Sequence, residues 1–159
     1  MKETGRIVIH KATAEDLPKI VRHMEPTGKT PLYPFTDLAK LQNIPLDGLI
    51  VAEVQGEYAG FLYWYRGEED AWLRQGEAPG DDPAVKNYGN IEEVQVLTAF
   101  QRQGVGRKML GYALEEMKGR GVKEVYLVAR EGNTSAQGLY DSVGFRPFSR
   151  HIRYKLNLG

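Results

Sequence analysis

The rhythm of apolar and polar positions changes several times along the chain. Arg6-Ile-Val-Ile-His-Lys11 reads as a short first strand, and Thr13-Ala-Glu-Asp16 has the form of a capping box opening a helix through about Met24. Pro18 is compatible with that helix only in its first turn. Pro, Gly and Thr mark a loop from Glu25 to Pro34, and Thr36 to Asn43 predicts a second short helix. Leu49 to Val54 and Tyr58 to Arg66 flank Gln55-Gly56-Glu57 and predict a hairpin.

The second half is more regular. Ile91 to Leu97 predicts a strand, Gly104 to Arg120 a helix, and Glu124 to Arg130 a further strand. Val105, Met109, Leu110, Ala113, Leu114 and Met117 recur at the helical period and would face a sheet. Thr134 to Ser142 predicts a last helix stopped by Gly144, followed by closing strands at Phe145 to Phe148 and Ile152 to Leu156. Strand, helix, strand, helix, strand implies an α/β layer with at least one parallel pairing. Residues 67–89 interrupt this order with Glu68, Glu69, Asp70, Glu77, Asp81 and Asp82 against Arg74 and Lys86, and read as a long acidic surface excursion.

Composition removes whole chemistries from this picture. The 159 residues fit one domain. The absence of Cys excludes disulfides, thiolate nucleophiles and thiolate-ligated metals. His10, His23 and His151 show no ligand spacing, so no metal site is expected without help from the fold. No segment has a signal-peptide core or the apolar length of a membrane span, and the expected location is the cytoplasm. The 21 Lys+Arg balance the 21 Asp+Glu, and no nucleic-acid motif is present, so nucleic acid is not an expected partner. Charge is nonetheless uneven: the acidic surplus lies before Ile91 and the basic surplus after it, which suits an anion handled by the C-terminal half.

A specific anion site follows from Gln101-Arg-Gln-Gly104-Val-Gly106-Arg107-Lys108. A strand there runs into a loop whose two glycines open an amphipathic helix, so backbone N–H groups and the helix dipole can meet an anion unobstructed. A P-loop would need Lys-Ser/Thr after Gly106, and a dinucleotide fingerprint would need Gly where Met109 stands. Taken alone, the glycine pair is equally compatible with a tight strand-to-helix turn that binds nothing.

Gln101 to Gly106 matches the signature Q/R-x-x-G-x-G/A, and Asn133-Thr-Ser-Ala136-Gln-Gly-Leu139-Tyr140-Asp-Ser-Val-Gly144-Phe145 matches N-x-x-A-x-x-L-Y-x-x-x-G-F. With these two spaced motifs the sequence resembles the GNAT superfamily of N-acetyltransferases. The resemblance implies a single α/β domain over 1–159, built on a central mixed sheet that is flanked by helices and splayed between its fourth and fifth strands. Acetyl-CoA would lie in that gap, held by the 91–148 core. Val94, Gln95 and Val96 would present backbone groups to the acetyl and pantetheine part. Arg102, Gln103, Gly104, Val105, Gly106 and Arg107 would wrap the pyrophosphate, Asn133 would bond the pantetheine arm, and Tyr140 would protonate the leaving thiolate. Asn133 also suits an N-cap, and Tyr140 also suits a core position.

The acceptor would be a primary amine of a small molecule or peptide. Its proton would pass to a carboxylate: Glu92, which shares strand parity with Val94 and Val96, ranks first and Glu93 second. Val128 fills a place where some relatives carry Glu, which argues against the arrangement used by ribosomal-protein N-terminal acetylases. Glu53, Tyr58, Tyr63, Trp64 and Tyr65, with Tyr33 and Phe35, would line an aromatic and acidic cleft for a cation, and residues 67–89 would steer it there. A non-catalytic acyl-CoA-binding module on the same fold is the alternative, and an exposed sheet edge at Ile152 to Leu156 would allow a homodimer.

Overall fold

The computed structural model describes residues 5–24, 35–67, 88–147, 152 and 154–159. The chain divides into two compact units, Met1–Val128 and Ala129–Gly159. The first contains an open five-stranded sheet in the order β1 (Ile7–Lys11), β2 (Leu49–Val54), β3 (Glu57–Arg66), β4 (Tyr88–Val96) and β5 (Glu124–Leu127). The first three pairings are antiparallel and β4–β5 is parallel. The parallel pairing is the one the alternation of elements implied, and the mixed sheet is the one the resemblance implied.

One face is covered by α1 (Leu17–Arg22) and α2 (Leu38–Leu41). The predicted capping pair is present: Thr13 N–H donates to Asp16 Oδ2 at 2.8 Å, and the Thr13 hydroxyl donates to the same atom at 3.2 Å. That chain entry starts as a 3-10 turn, Ala14–Asp16, before α1, with Pro18 in the first helical turn where it displaces no intrahelical bond. Leu17, Ile20, Phe35 and Leu41 pack there against Leu49, Val51 and Phe61.

The opposite face receives α3 (Val105–Gly119), whose Val105, Met109, Leu110, Ala113 and Met117 are buried as the periodicity predicted, while Leu114 is half-buried. Burying side chains of this size contributes roughly 1.5 to 3 kcal/mol each, so packing rather than helix propensity fixes α3. Trp64, alternating away from Tyr63 and Tyr65, lies on this face with the Arg120 guanidinium 5.2 Å from its ring centroid. Arg120 also pairs with Asp47 and Glu116, tying the end of α3 to the turn before β2.

Several boundaries differ from the sequence reading. Strand β4 begins at Tyr88, inside the expected 67–89 excursion, because Gly89 allows close approach: a Cβ there would stand 3.1 Å from Met117 Sδ. Residues 68–87 of the excursion lie outside the described residues. Strand β5 stops at Leu127, the last residue with a β4 partner, and Val128 beyond it is 81% exposed.

In the second unit, α4 (Thr134–Val143) follows Asn133 and ends at Gly144 with φ 116°, the left-handed C-terminal stop that was expected. The closing strands are not found among the described residues. Residues 145–147, 152 and 154–156 have no strand pairing, and Ile152, Tyr154 and Leu156 stand exposed; Phe148 and Arg153 lie outside the described set. A strand needs a hydrogen-bonded neighbour, and alternation alone does not provide one. The sheet edge on which a homodimer was expected is therefore missing from the described residues.

Candidate functional site

The splay between β4 and β5 is visible in their register. Tyr88, Gly89, Asn90 and Ile91 pair with Glu124, Val125, Tyr126 and Leu127, and the ladder ends there. From Glu92 to Val96, β4 continues with β3 alone as its described sheet neighbour. This half of β4 holds Val94, Gln95 and Val96, whose backbone the resemblance assigned to the acetyl and pantetheine part. Val94 and Val96 are half-buried and Gln95 is buried.

A bulge changes where the glutamates point. Tyr63 pairs with Glu93 but Trp64 pairs with Ile91, so Glu92 is the extra residue in β4. Parity counted from Val94 is therefore interrupted at Glu92, which is exposed; the bulge corrects the parity argument that ranked it first. Glu93, opposite Tyr63, lies on the α1/α2 face, where Tyr63 packs against the apolar cluster. Burial, followed by the negative charge of Glu92, raises the Glu93 carboxyl to about 7; the Val94 backbone N–H partly offsets this by bonding the carboxylate. A carboxyl poised near neutrality can accept or release a proton at working pH. The feature missed in the sequence is a backbone irregularity, and two adjacent glutamates are a weak signal for it.

The same face carries a row of tyrosines. Tyr63 and Tyr65 have ring centroids 6.1 Å apart, while Tyr88 and Tyr126 meet edge to face at 5.6 Å. The Tyr126 hydroxyl donates to Glu124 Oε2 at 2.5 Å, an interaction that holds its pKa above the ordinary tyrosine value. Of the expected aromatic cleft, Tyr63 and Tyr65 share this face, Trp64 turns to the other, and Phe35 is core against Phe61 at 4.8 Å. Tyr58 stacks on His23 at 5.5 Å, and Tyr33 lies outside the described residues.

After β4, a 3-10 turn at Thr98–Phe100 leads into the glycine loop. Gln101 Nε2 donates to the Val96 carbonyl at 3.1 Å and fastens the loop to the strand end. Arg102 has φ 62° and Gly104 φ 86°, two left-handed residues that bend the chain into the start of α3. Gly104 occupies the cap position and has no side-chain oxygen to occupy the helix's opening amides. A Cβ at Gly104 would meet nothing within 4 Å, so the space before the loop is open to a phosphate. Arg102, Gln103 and Arg107 are exposed around it, while Val105 and Gly106 are buried at the helix base. These features fit the pyrophosphate of a CoA ligand.

Asn133 and Tyr140 belong to the second unit. Asn133 caps α4, its side-chain oxygen accepting from Ala136 N–H at 3.1 Å, so the capping alternative is realised. Tyr140, two turns further along α4, is half-buried and meets Phe145 edge to face at 6.0 Å.

Comparison with known proteins agrees with both motifs. The model of the acetyltransferase (GNAT) family matches residues 16–145. A [ribosomal protein bS18]-alanine N-acetyltransferase from Haemophilus ducreyi is 41% identical over 56 residues, 35% of this chain and 39% of that protein. The chain thus matches about two-fifths of that relative's length, which leaves the acceptor open. This relative is of the kind the Val128 position argued against. Among solved structures, an aminoglycoside acetyltransferase from an uncultured soil metagenomic sample, in complex with sisomicin, matches with a TM-score of 0.65 and 23% identity over 95% of this chain and 97% of that one. Diaminobutyrate acetyltransferase EctA from Paenibacillus lautus, in complex with L-2,4-diaminobutyric acid and coenzyme A, gives a TM-score of 0.63 and 19% identity over 87% of this chain and 74% of that one. At these identities the structural likeness concerns the fold.

Proposed function

The chain belongs to the GNAT acetyltransferase family, and from that premise we propose that it transfers an acetyl group from acetyl-CoA to a primary amine of a small molecule or peptide. The family uses acetyl-CoA as its acetyl donor. The observation that carries the reading is the open half of β4, where a near-neutral carboxyl at Glu93 accompanies a strand that leads into an anion-binding helix start.

In this reading Arg102 to Arg107 hold the pyrophosphate, with Gly104 giving it access to the backbone, and Val94 to Val96 align the acetyl and pantetheine part. Acetyl-CoA, when bound, supplies the thioester. A lysine-like amine with a pKa of about 10.4 costs roughly 4.6 kcal/mol to present neutral at pH 7, and an α-amine near 8 about 1.4. Glu93 takes that proton, directly or through a water. The amine nitrogen bonds to the acetyl carbonyl carbon, the carbon–sulfur bond breaks, and Tyr140 donates the proton that the departing thiolate needs. Glu92, exposed on the bulge, keeps negative charge beside Glu93 and sustains its high pKa. Asn133 adds a contact to the pantetheine arm beyond its capping role.

The tyrosine row with Glu93 supports a cationic acceptor, and residues 67–89 contribute acidic steering. The proposal takes 1–159 as one acetyltransferase domain with 91–148 as its cofactor core, acting in the cytoplasm. Among the described residues no helix is long and apolar enough to cross a membrane.

Titration calorimetry with acetyl-CoA tests the reading, with Gly104→Glu beside the parent to introduce a carboxylate before the phosphates. The expected result is binding by the parent and its loss in the variant, followed by thiol release when amines are added. No binding by the folded parent at millimolar acetyl-CoA would overturn it; binding without thiol release over a broad amine panel would favour the non-catalytic module.

A further inference from the structure

Strand β3 meets the open half of β4 at a residue that the acetyl-transfer reading does not use. Gly60 pairs with Val96 of β4 on one side and with Ala52 of β2 on the other. A Cβ at Gly60 would collide with the Gln95 carbonyl oxygen and stand 3.1 Å from both the Gln95 carbonyl carbon and Val96 Cα. In a regular strand the Cβ leaves the pleat and meets no main chain of its neighbour. Here the chain is irregular: Ala52 pairs with Gly60 but Glu53 pairs with Tyr58, so Ala59 is an extra residue in β3. Gly60 has no positive φ, so what glycine supplies is space rather than conformational freedom.

The peptide approached in this way is the one between Gln95 and Val96. Leu97 N–H donates to the Ala59 carbonyl at 2.8 Å. Alternate residues of an antiparallel strand turn their N–H and C=O to the same edge, so Gln95 and Leu97 face β3 while Val94 and Val96 face the edge that β5 has left. On that edge the Val94 N–H is held by the Glu93 carboxylate, and the Val96 carbonyl by Gln101 Nε2 at 3.1 Å. Val96 N–H is the next donor along it. Neither strand can give way freely, because Ala59, Phe61, Leu62 and Gln95 are all buried.

We propose that Gly60 is a positioning residue for acetyl transfer, setting through the Gln95–Val96 peptide the place of the Val96 N–H that donates to the acetyl carbonyl oxygen. The proposal rests on the acetyltransferase reading. Gln95 C=O and Val96 N–H belong to one planar unit and point in opposite directions, so pushing the oxygen away from β3 carries the N–H with it. A methyl group at Gly60 forces a shift on the order of 1 Å, and a misplacement of that size can lower a rate by about 10²-fold. A donor aimed at the oxygen where charge develops matters more in the transition state than in the bound cofactor, so the effect falls on turnover rather than on binding.

The test compares full-chain Gly60→Ala with the parent and with Met117→Ala, a core truncation in the closed half, at a temperature where circular dichroism shows all three folded. Thiol release at saturating acetyl-CoA, with the amine that reacts fastest in the parent, gives kcat; calorimetry gives the dissociation constant for acetyl-CoA. Labelling with carbon-13 at the Gln carbonyl and nitrogen-15 at Val isolates one amide signal, since Gln95–Val96 is the only Gln–Val pair in the sequence. The expected result is kcat lowered about 10²-fold in Gly60→Ala, with its dissociation constant within a few-fold of the parent's. Met117→Ala should keep kcat within a few-fold, and acetyl-CoA should move the labelled signal in the parent. Equal kcat in Gly60→Ala and Met117→Ala would overturn the proposal, because the glycine would then serve stability alone. Should Gly60→Ala not fold, the labelled parent decides: a signal that acetyl-CoA moves supports the proposal, and one unmoved at saturation overturns it. Absence of acetyl-CoA binding or of thiol release in the parent is a separate result, which would overturn the transferase reading and this proposal with it.

Discussion

Strand β4 is two strands in physical terms. Tyr88 to Ile91 is hydrogen-bonded on both sides, to β3 and β5, with Gly89 and Ile91 pressed against the α3 face. Glu92 to Val96 has lost the β5 neighbour, contains a bulge, and carries a carboxyl held near neutrality. The closed half is built for stability, and the open half is where we place the chemistry. Only where pairing ends do backbone polar groups become available to a ligand, and only partial burial there can raise a carboxyl without extinguishing its charge.

The largest effect should come from the open half. Glu93→Gln is expected to lower kcat/KM at pH 7 by about 10² to 10⁴-fold with folding intact, the range for loss of a general base, measured by thiol release. Tyr140→Phe should lower kcat by about 10² or more while leaving the dissociation constant for acetyl-CoA within a few-fold. In the closed half, Met117→Ala, which empties the volume against Gly89, should cost about 2 to 5 kcal/mol in denaturant melts and leave the pH dependence of the surviving activity unchanged.

A smaller effect belongs to the loop. Gly104→Ala meets no steric obstacle but must hold φ near 86°, at about 1 to 2 kcal/mol, so acetyl-CoA affinity should fall roughly tenfold with little change in kcat. The smallest concerns stability. Between pH 4.5 and about 7 folded Glu93 retains a proton that the unfolded chain releases, so stability should fall as pH rises through that window. Glu93→Gln should flatten this slope in melts recorded across the range.

The sequence carried the α3 stripe, the β2–β3 hairpin, the Thr13–Asp16 cap and the glycine loop, because each depends on neighbours within a turn or a hairpin. It misjudged the start of β4, since Gly89 reads as a loop signal until Met117 is known to lie over it. It extended β5 to Arg130 because Val128 continues the apolar run, although β4 offers no partner there. It ranked Glu92 above Glu93 because alternation assumes an unbulged strand, and the Tyr63/Trp64 register shift is a property of the pair. The pairing of Arg120 with Asp47 was illegible for the same reason: it joins elements distant in sequence.

The pH dependence of kcat/KM for the parent, Glu93→Gln and Glu92→Gln tests the account most directly. It predicts a rising limb near pH 7 in the parent, the same limb moved to lower pH in Glu92→Gln as the neighbouring charge is removed, and no such limb in Glu93→Gln. An unchanged limb in Glu93→Gln would contradict it, because the proton would then be taken by another group and the open half of β4 would bind acetyl-CoA without supplying the base.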